Sequence, residues 1–101
     1  MRILMVEDSR VFVRLVERLL TAKMEATLDV VGTMADANTM IGSHDYDLAL
    51  LDLVLPDAQE GEVVDMVVRR GIPAIAFTGR YDESYREKIL KKNVVDYVIK
   101  N

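Results

Sequence analysis

Four places in this 101-residue sequence carry side chains able to manage a cation or a phosphate, and each stands in or after an apolar run. Glu7-Asp8 follows residues 3–6, Asp52 interrupts residues 48–55, Thr78-Gly79 follows residues 74–77, and Lys100 follows residues 94–99, three positions after Tyr97. Brought together, they would supply three carboxylates, one hydroxyl and one ammonium. Two carboxylates ~5 Å apart repel by roughly 3–4 kcal/mol at an effective dielectric of 20. Three acids in one crevice therefore need a cation, or one must stay protonated. An all-oxygen set suits Mg²⁺, which keeps several waters and commonly bridges carboxylates to phosphate oxygens. A hydroxyl and an ammonium opposite would suit the remaining phosphoryl oxygens.

The intervening sequence explains how such residues could meet. Residues 9–23 place Phe12, Val13, Leu15, Val16, Leu19 and Leu20 at helical spacing, with Asp8 or Ser9 as cap. Residues 28–31 read as a strand and 36–44 as a weak helix. Residues 48–55 form the most apolar strand, and 63–70 a helix closed by Gly71 and followed by Pro73. Residues 74–77 give a strand, 82–93 a charged helix with Ile89 and Leu90 inward, and 94–99 a last strand. Continuous apolar strands alternating with helices specify a parallel sheet covered on both faces. Such sheets place their working site at the carboxyl ends of the strands, beside a topological switch point.

Composition narrows the chemistry. Thirteen Lys+Arg against seventeen Asp+Glu leave a net charge of −4, so direct nucleic-acid binding by this segment is disfavoured. Without cysteine there is no disulfide scaffold, thiolate zinc site or thiol nucleophile. The apolar runs are far short of the ~20 residues that span a bilayer, and MRILMVEDS lacks the pattern of a secretory signal. The expectation is a cytoplasmic domain without membrane contact.

Singly, each residue has a plainer reading. Asp8 could be a helix cap, Thr78-Gly79 a turn, Lys100 a solvated terminus, and Tyr97, alternating with Val95 and Ile99, one face of a strand. His44 reads as surface loop, and Arg86, Lys88, Lys91 and Lys92 as a solvated helix face. Asp52 resists such a reading, because an acid in so apolar a run is costly without a partner.

Taken together, ILMVEDS, LALLDLVLPD, AFTG and YVIK resemble the receiver domain of bacterial two-component response regulators. The likeness runs the length of the chain, and Thr78 precedes Lys100 by 22 residues, as receivers commonly space that pair. The resemblance implies an α/β, flavodoxin-like, doubly wound five-stranded parallel sheet in the order 2-1-3-4-5. It implies Asp52 as phosphoacceptor, with Mg²⁺ held by Glu7, Asp8, Asp52 and the backbone carbonyl of Val54. Thr78 and Lys100 would contact the phosphoryl oxygens, Gly79 would leave room for their entry, and Thr78 and Tyr97 would act as the switch. Val54 and Arg80 occupy the positions that tune loss of phosphate. Partners implied are a sensor histidine kinase or phosphotransfer protein and an output domain on the parent chain. Such a domain is regulatory and promotes only its own phosphorylation and dephosphorylation. LPDAQEGEVVD, GIPAIAFTG and VVDYVIK bear a weaker likeness to N-terminal receivers of diguanylate cyclase response regulators.

Two departures stand out. Receivers usually place Gly eight residues after the phosphoacceptor, whereas Gly61 is nine after Asp52, making that loop one residue longer. Receivers also continue past the Lys into a fifth helix that shares a sheet face with the first. The expectation is one receiver domain over residues 1–101, truncated at its C-terminus, with the bare face apolar or covered by a second copy in a homodimer. Two other classes compete. A phosphorylation-independent interaction module is opposed by the intact Asp8/Asp52/Thr78/Lys100 set. A Mg²⁺-dependent aspartyl phosphatase of the haloacid-dehalogenase type would need a second Asp where Val54 stands.

Overall fold

The computed structural model describes residues 1–79 and 82–100. Strands β1 (Arg2–Val6), β2 (Thr27–Val31), β3 (Leu48–Asp52), β4 (Ala74–Thr78) and β5 (Asp96–Ile99) alternate with helices α1 (Arg10–Lys23), α2 (Met34–Ser43), α3 (Glu62–Arg69) and α4 (Glu83–Leu90). All strand pairs are parallel, in the order β2-β1-β3-β4-β5. The chain reverses its direction of travel across the sheet at β1, so the crevice between the carboxyl ends of β1 and β3 is the topological switch point.

Period-two alternation divides the strands between two cores. Leu4, Val6, Ala49, Leu51, Ala74 and Ala76 are buried on the face covered by α2, α3 and α4. Ile3, Met5 and Leu50 face α1 and its buried Val16. Helical spacing placed Leu15 and Leu19 in the α1 core, but both are more than half exposed. They rim an apolar groove of about 540 Å³ that continues over Leu50, Ile75, Phe77 and Val98. α1 covers only part of its sheet face, so one flank of its apolar arc has no packing partner among the described residues.

Local rules account for the element ends. Ser9, rather than Asp8, caps α1, its Oγ accepting from the Phe12 N–H at 3.4 Å. Thr33 caps α2, which begins two residues before the expected Asp36. β3 stops at Asp52 rather than Leu55, which corrects the longer strand expected from the apolar run. Leu53 and Leu55 stay apolar because the loop after β3 folds back into the core. Leu55 and Ala58 pair in a short antiparallel bridge, the Gly61 N–H donates to the Leu53 carbonyl at 3.0 Å, and Leu53, Leu55 and Ala58 are all buried.

Gly61 closes that loop at φ +74°, and a Cβ there would lie 3.0 Å from Ile89 Cδ1 and 3.5 Å from Leu53 Cδ2. Gly42 sits inside α2 with open space where a Cβ would be. The two glycines should respond oppositely in thermal or urea unfolding. Gly61→Ala is expected to destabilise by roughly 1–3 kcal/mol through left-handed strain and overpacking. Gly42→Ala should stabilise by about 0.5 kcal/mol, because only the unfolded chain loses freedom.

Candidate functional site

Four strand ends converge on one crevice. Glu7 leaves β1 with its N–H donating to the Val31 carbonyl at 2.9 Å, which extends the β1–β2 ladder by one residue. This holds Glu7 in line with the strand, buried to 3% exposure, while Asp8 is exposed. Asp52 terminates the central strand β3, opposite Phe77 of β4, and is 7% exposed. Carboxylate oxygens of Glu7, Asp8 and Asp52 all lie within 4.8 Å of one another. Beside Glu7 and Asp8 a crevice of about 480 Å³ opens between Arg10, Arg14 and Gly32.

Lys100 closes the cluster. Its backbone N–H donates to the Thr78 carbonyl at 2.7 Å, continuing the β4–β5 ladder past Ile99. Its side chain then reaches across β4, where Nζ bonds Glu7 Oε1 and stands 3.5 Å from Asp52 Oδ2. The side chain is 20% exposed. Nζ also lies 4.7 Å from the centre of the Phe12 ring, which itself packs edge-on against Phe77 at 5.4 Å. Phe12 therefore supplies an aromatic face that orients the ammonium. The sequence reading named Phe12 only among the apolar residues at helical spacing; its place in the first turn of the helix after Glu7-Asp8 is the signal that could have marked it.

The carboxylates are held by the backbone as well. The Ser9 N–H donates to Glu7 Oε2 at 3.1 Å, and the Val54 N–H to Asp52 Oδ1 at 3.1 Å. Thr78, at the end of β4, is fully buried. A Cβ on Gly79 would meet nothing within 4 Å. Tyr97 is buried among the residues under α4, already in an inward position. Val54 is half exposed at the rim. Arg80 lies outside the described residues. The fold thus gathers Glu7, Asp8, Asp52, Thr78 and Lys100 at one end of the sheet, and leaves Tyr97 within the core one strand away.

The set suits a divalent cation. Three formal negative charges face one ammonium, every donor is oxygen, and Asp8 keeps solvent access. Opposite ligands of one Mg²⁺ are separated by ~4.2 Å. One oxygen from each of Glu7, Asp8 and Asp52 lies within 4.8 Å of the others, a comparable span.

The family model of the response regulator receiver domain matches residues 3–101. The chain belongs to that family. It is 33% identical over 107 residues to the transcriptional regulatory protein CusR of Escherichia coli K12, a match that covers 99% of this chain and 44% of CusR. The receiver thus spans less than half the length of this curated relative. Among solved structures, a two-component response regulator/GGDEF domain protein superposes with a TM-score of 0.87 at 36% identity, covering 98% of this chain and 40% of that one. The Mn²⁺-bound form of response regulator Rcp1 superposes with a TM-score of 0.90 at 26% identity, covering 99% and 81%. The receiver fold and its strand order are those expected from the sequence, and the GGDEF-linked neighbour agrees with the weaker likeness.

Because Lys100 and a cation would share Glu7 and Asp52, the receiver's Mg²⁺ affinity should be limited by that ammonium. Lys100→Met keeps a stem against Phe12 and removes the charge. It is expected to cost roughly 2–4 kcal/mol of metal-free stability, since two buried carboxylates lose their partner. Mg²⁺ affinity measured by calorimetry should rise about tenfold. Unchanged Mg²⁺ affinity would show that the ammonium and the cation occupy separate sites.

Proposed function

We propose that this receiver accepts a phosphoryl group on Asp52 from a phosphohistidine on a sensor kinase or phosphotransfer protein, and so switches an output domain or partner. The observation that carries the reading is the placement of Asp52. It is a nearly buried carboxylate at the switch point, within 4.8 Å of two other carboxylates and 3.5 Å from Lys100. Such a charge cluster costs stability, and clusters of this kind gather at functional sites.

Each residue has a role in this reading. One Asp52 oxygen attacks phosphorus in line as the phosphorus–nitrogen bond of the donor breaks. The Val54 N–H on Oδ1 orients the carboxylate, which favours attack through Oδ2, the oxygen nearer Lys100. Asp8, Asp52, the Val54 carbonyl and Glu7, directly or through water, would hold Mg²⁺. When bound, Mg²⁺ neutralises charge between the carboxylates and the incoming phosphoryl oxygens. Lys100 transfers its ion pair from Asp52 to a phosphoryl oxygen, and Thr78 donates its hydroxyl to another. Gly79 leaves the entry open. Movement of Thr78 toward the phosphate, with Tyr97 filling the space behind it, shifts the population of two arrangements of the α4–β5 surface. The domain is regulatory, acts in the cytoplasm and turns over no exogenous ester. Apolar Val54 cannot align a water behind the phosphorus, so the phosphorylated form is long-lived.

Intact mass after incubation with acetyl phosphate and Mg²⁺ tests the acceptor directly. The expected result is a gain of one phosphoryl group in the parent, absent in Asp52→Asn and absent without Mg²⁺. Equal gain in Asp52→Asn would move the acceptor elsewhere. In the same assay Val54→Asn should shorten the phosphoryl half-life several-fold, and a lengthened half-life would remove Val54 from the tuning role.

A further inference from the structure

The loop after Asp52 carries one residue more than the usual spacing, and its tip is fastened in a specific way. Asp57 Oδ1 accepts the Met34 N–H at 2.8 Å and Oδ2 accepts the Ala35 N–H at 3.0 Å. These are the first two residues of α2, so one carboxylate spans two unsatisfied donors at the positive end of that helix. The Met34 N–H, and then that of Ala35, hold the Asp57 carboxyl below its ordinary value, so it is ionised at neutral pH. α2 also has its own side-chain cap: Thr33 Oγ1 accepts the Asp36 N–H at 3.1 Å.

The fastening continues to the site. Leu55 and Ala58 flank Pro56-Asp57 and exchange backbone hydrogen bonds at 2.9 and 3.2 Å. This locks the turn that presents Asp57. On the other side of Leu55, the Val54 N–H grips Asp52 Oδ1 at 3.1 Å. A continuous path of hydrogen bonds and three peptide units therefore runs from the start of α2 to the carboxylate of Asp52.

We infer that Asp57 is a positioning residue for the cation and phosphoryl site: by clamping the β3–α3 loop to the N-terminus of α2, it fixes the Val54 peptide against Asp52. The inference rests on the proposed Mg²⁺ site and adds a residue to it. Asp57 does not touch the cation. It removes freedom from Val54, the residue that presents both an N–H to Asp52 and the carbonyl assigned to the metal. Groups that orient ligands from behind typically change metal affinity ten- to a hundredfold when removed.

The test compares the parent with Asp57→Ala, Asp57→Asn and Thr33→Ala, each checked for folding by circular dichroism. Thr33→Ala removes a cap from the same helix end without touching the loop, so it matches the structural loss alone. Asp57→Ala should weaken Mg²⁺ binding about tenfold by calorimetry, Asp57→Asn should weaken it less, and Thr33→Ala should leave it within twofold of the parent. Without metal, amide exchange at Leu55 and Ala58 should accelerate in Asp57→Ala and not in Thr33→Ala. Equal Mg²⁺ affinity in the parent and Asp57→Ala, or equal losses in Asp57→Ala and Thr33→Ala, would overturn the positioning role. A parent that binds no Mg²⁺ would overturn the metal site itself, and this role with it.

Discussion

The ammonium of Lys100 between Glu7 and Asp52 is the interaction on which the rest of the site depends. Two carboxylates buried almost completely at the end of a parallel sheet would repel strongly and lose their water. The lysine makes the arrangement tolerable without metal. It reaches them because the β4–β5 ladder continues through its own N–H, and because Phe12 and Phe77 give its charge an aromatic surface. In the proposed reaction the residue that stabilises the resting cluster also receives a phosphoryl oxygen. Stability and function therefore draw on the same contact.

Sheet order converts distant sequence positions into that cluster. β1 and β3 are central neighbours, so Glu7 and Asp52 end side by side although 45 residues separate them. β4 lies between β3 and β5, so Lys100 must span one strand to reach Asp52, which a long flexible side chain can do. Small residues support the geometry: Ala49, Ala74 and Ala76 are fully buried under α3 and its neighbours. The other face is less complete. Among the described residues α1 alone covers it, and the groove bounded by Leu15 and Leu19 follows from an apolar arc wider than one sheet contact requires.

Much of this was legible because apolar strands end abruptly at polar residues. Asp52, Thr78 and Lys100 announced themselves as the points where buried runs meet functional groups, and the alternation of runs specified the parallel sheet. What was hidden has physical causes. The run 48–55 reads as one strand, because a buried loop and a buried strand demand the same apolar residues; only the Leu55–Ala58 bridge shows where the ladder stops. Phe12 looks like any inward helix residue, since its contact with Lys100 joins positions 88 apart. Leu15 and Leu19 satisfy helical spacing but face the uncovered flank, as periodicity gives a direction without saying what lies there. Asp57 carries no local pattern that distinguishes a turn aspartate from one anchored on another helix.

The most direct measurement of the central claim is an amide and side-chain NMR titration of the chain with Mg²⁺ alone, then with Mg²⁺ and beryllofluoride as a phosphoryl analogue. If the cluster is a cation and phosphoryl site, Mg²⁺ shifts Glu7, Asp8, Asp52 and Val54 saturably. Beryllofluoride then shifts Thr78 and the Lys100 ammonium, and Asp52→Asn abolishes the second response. Saturable shifts confined to residues away from these strand ends, or a beryllofluoride response that survives Asp52→Asn, would contradict it.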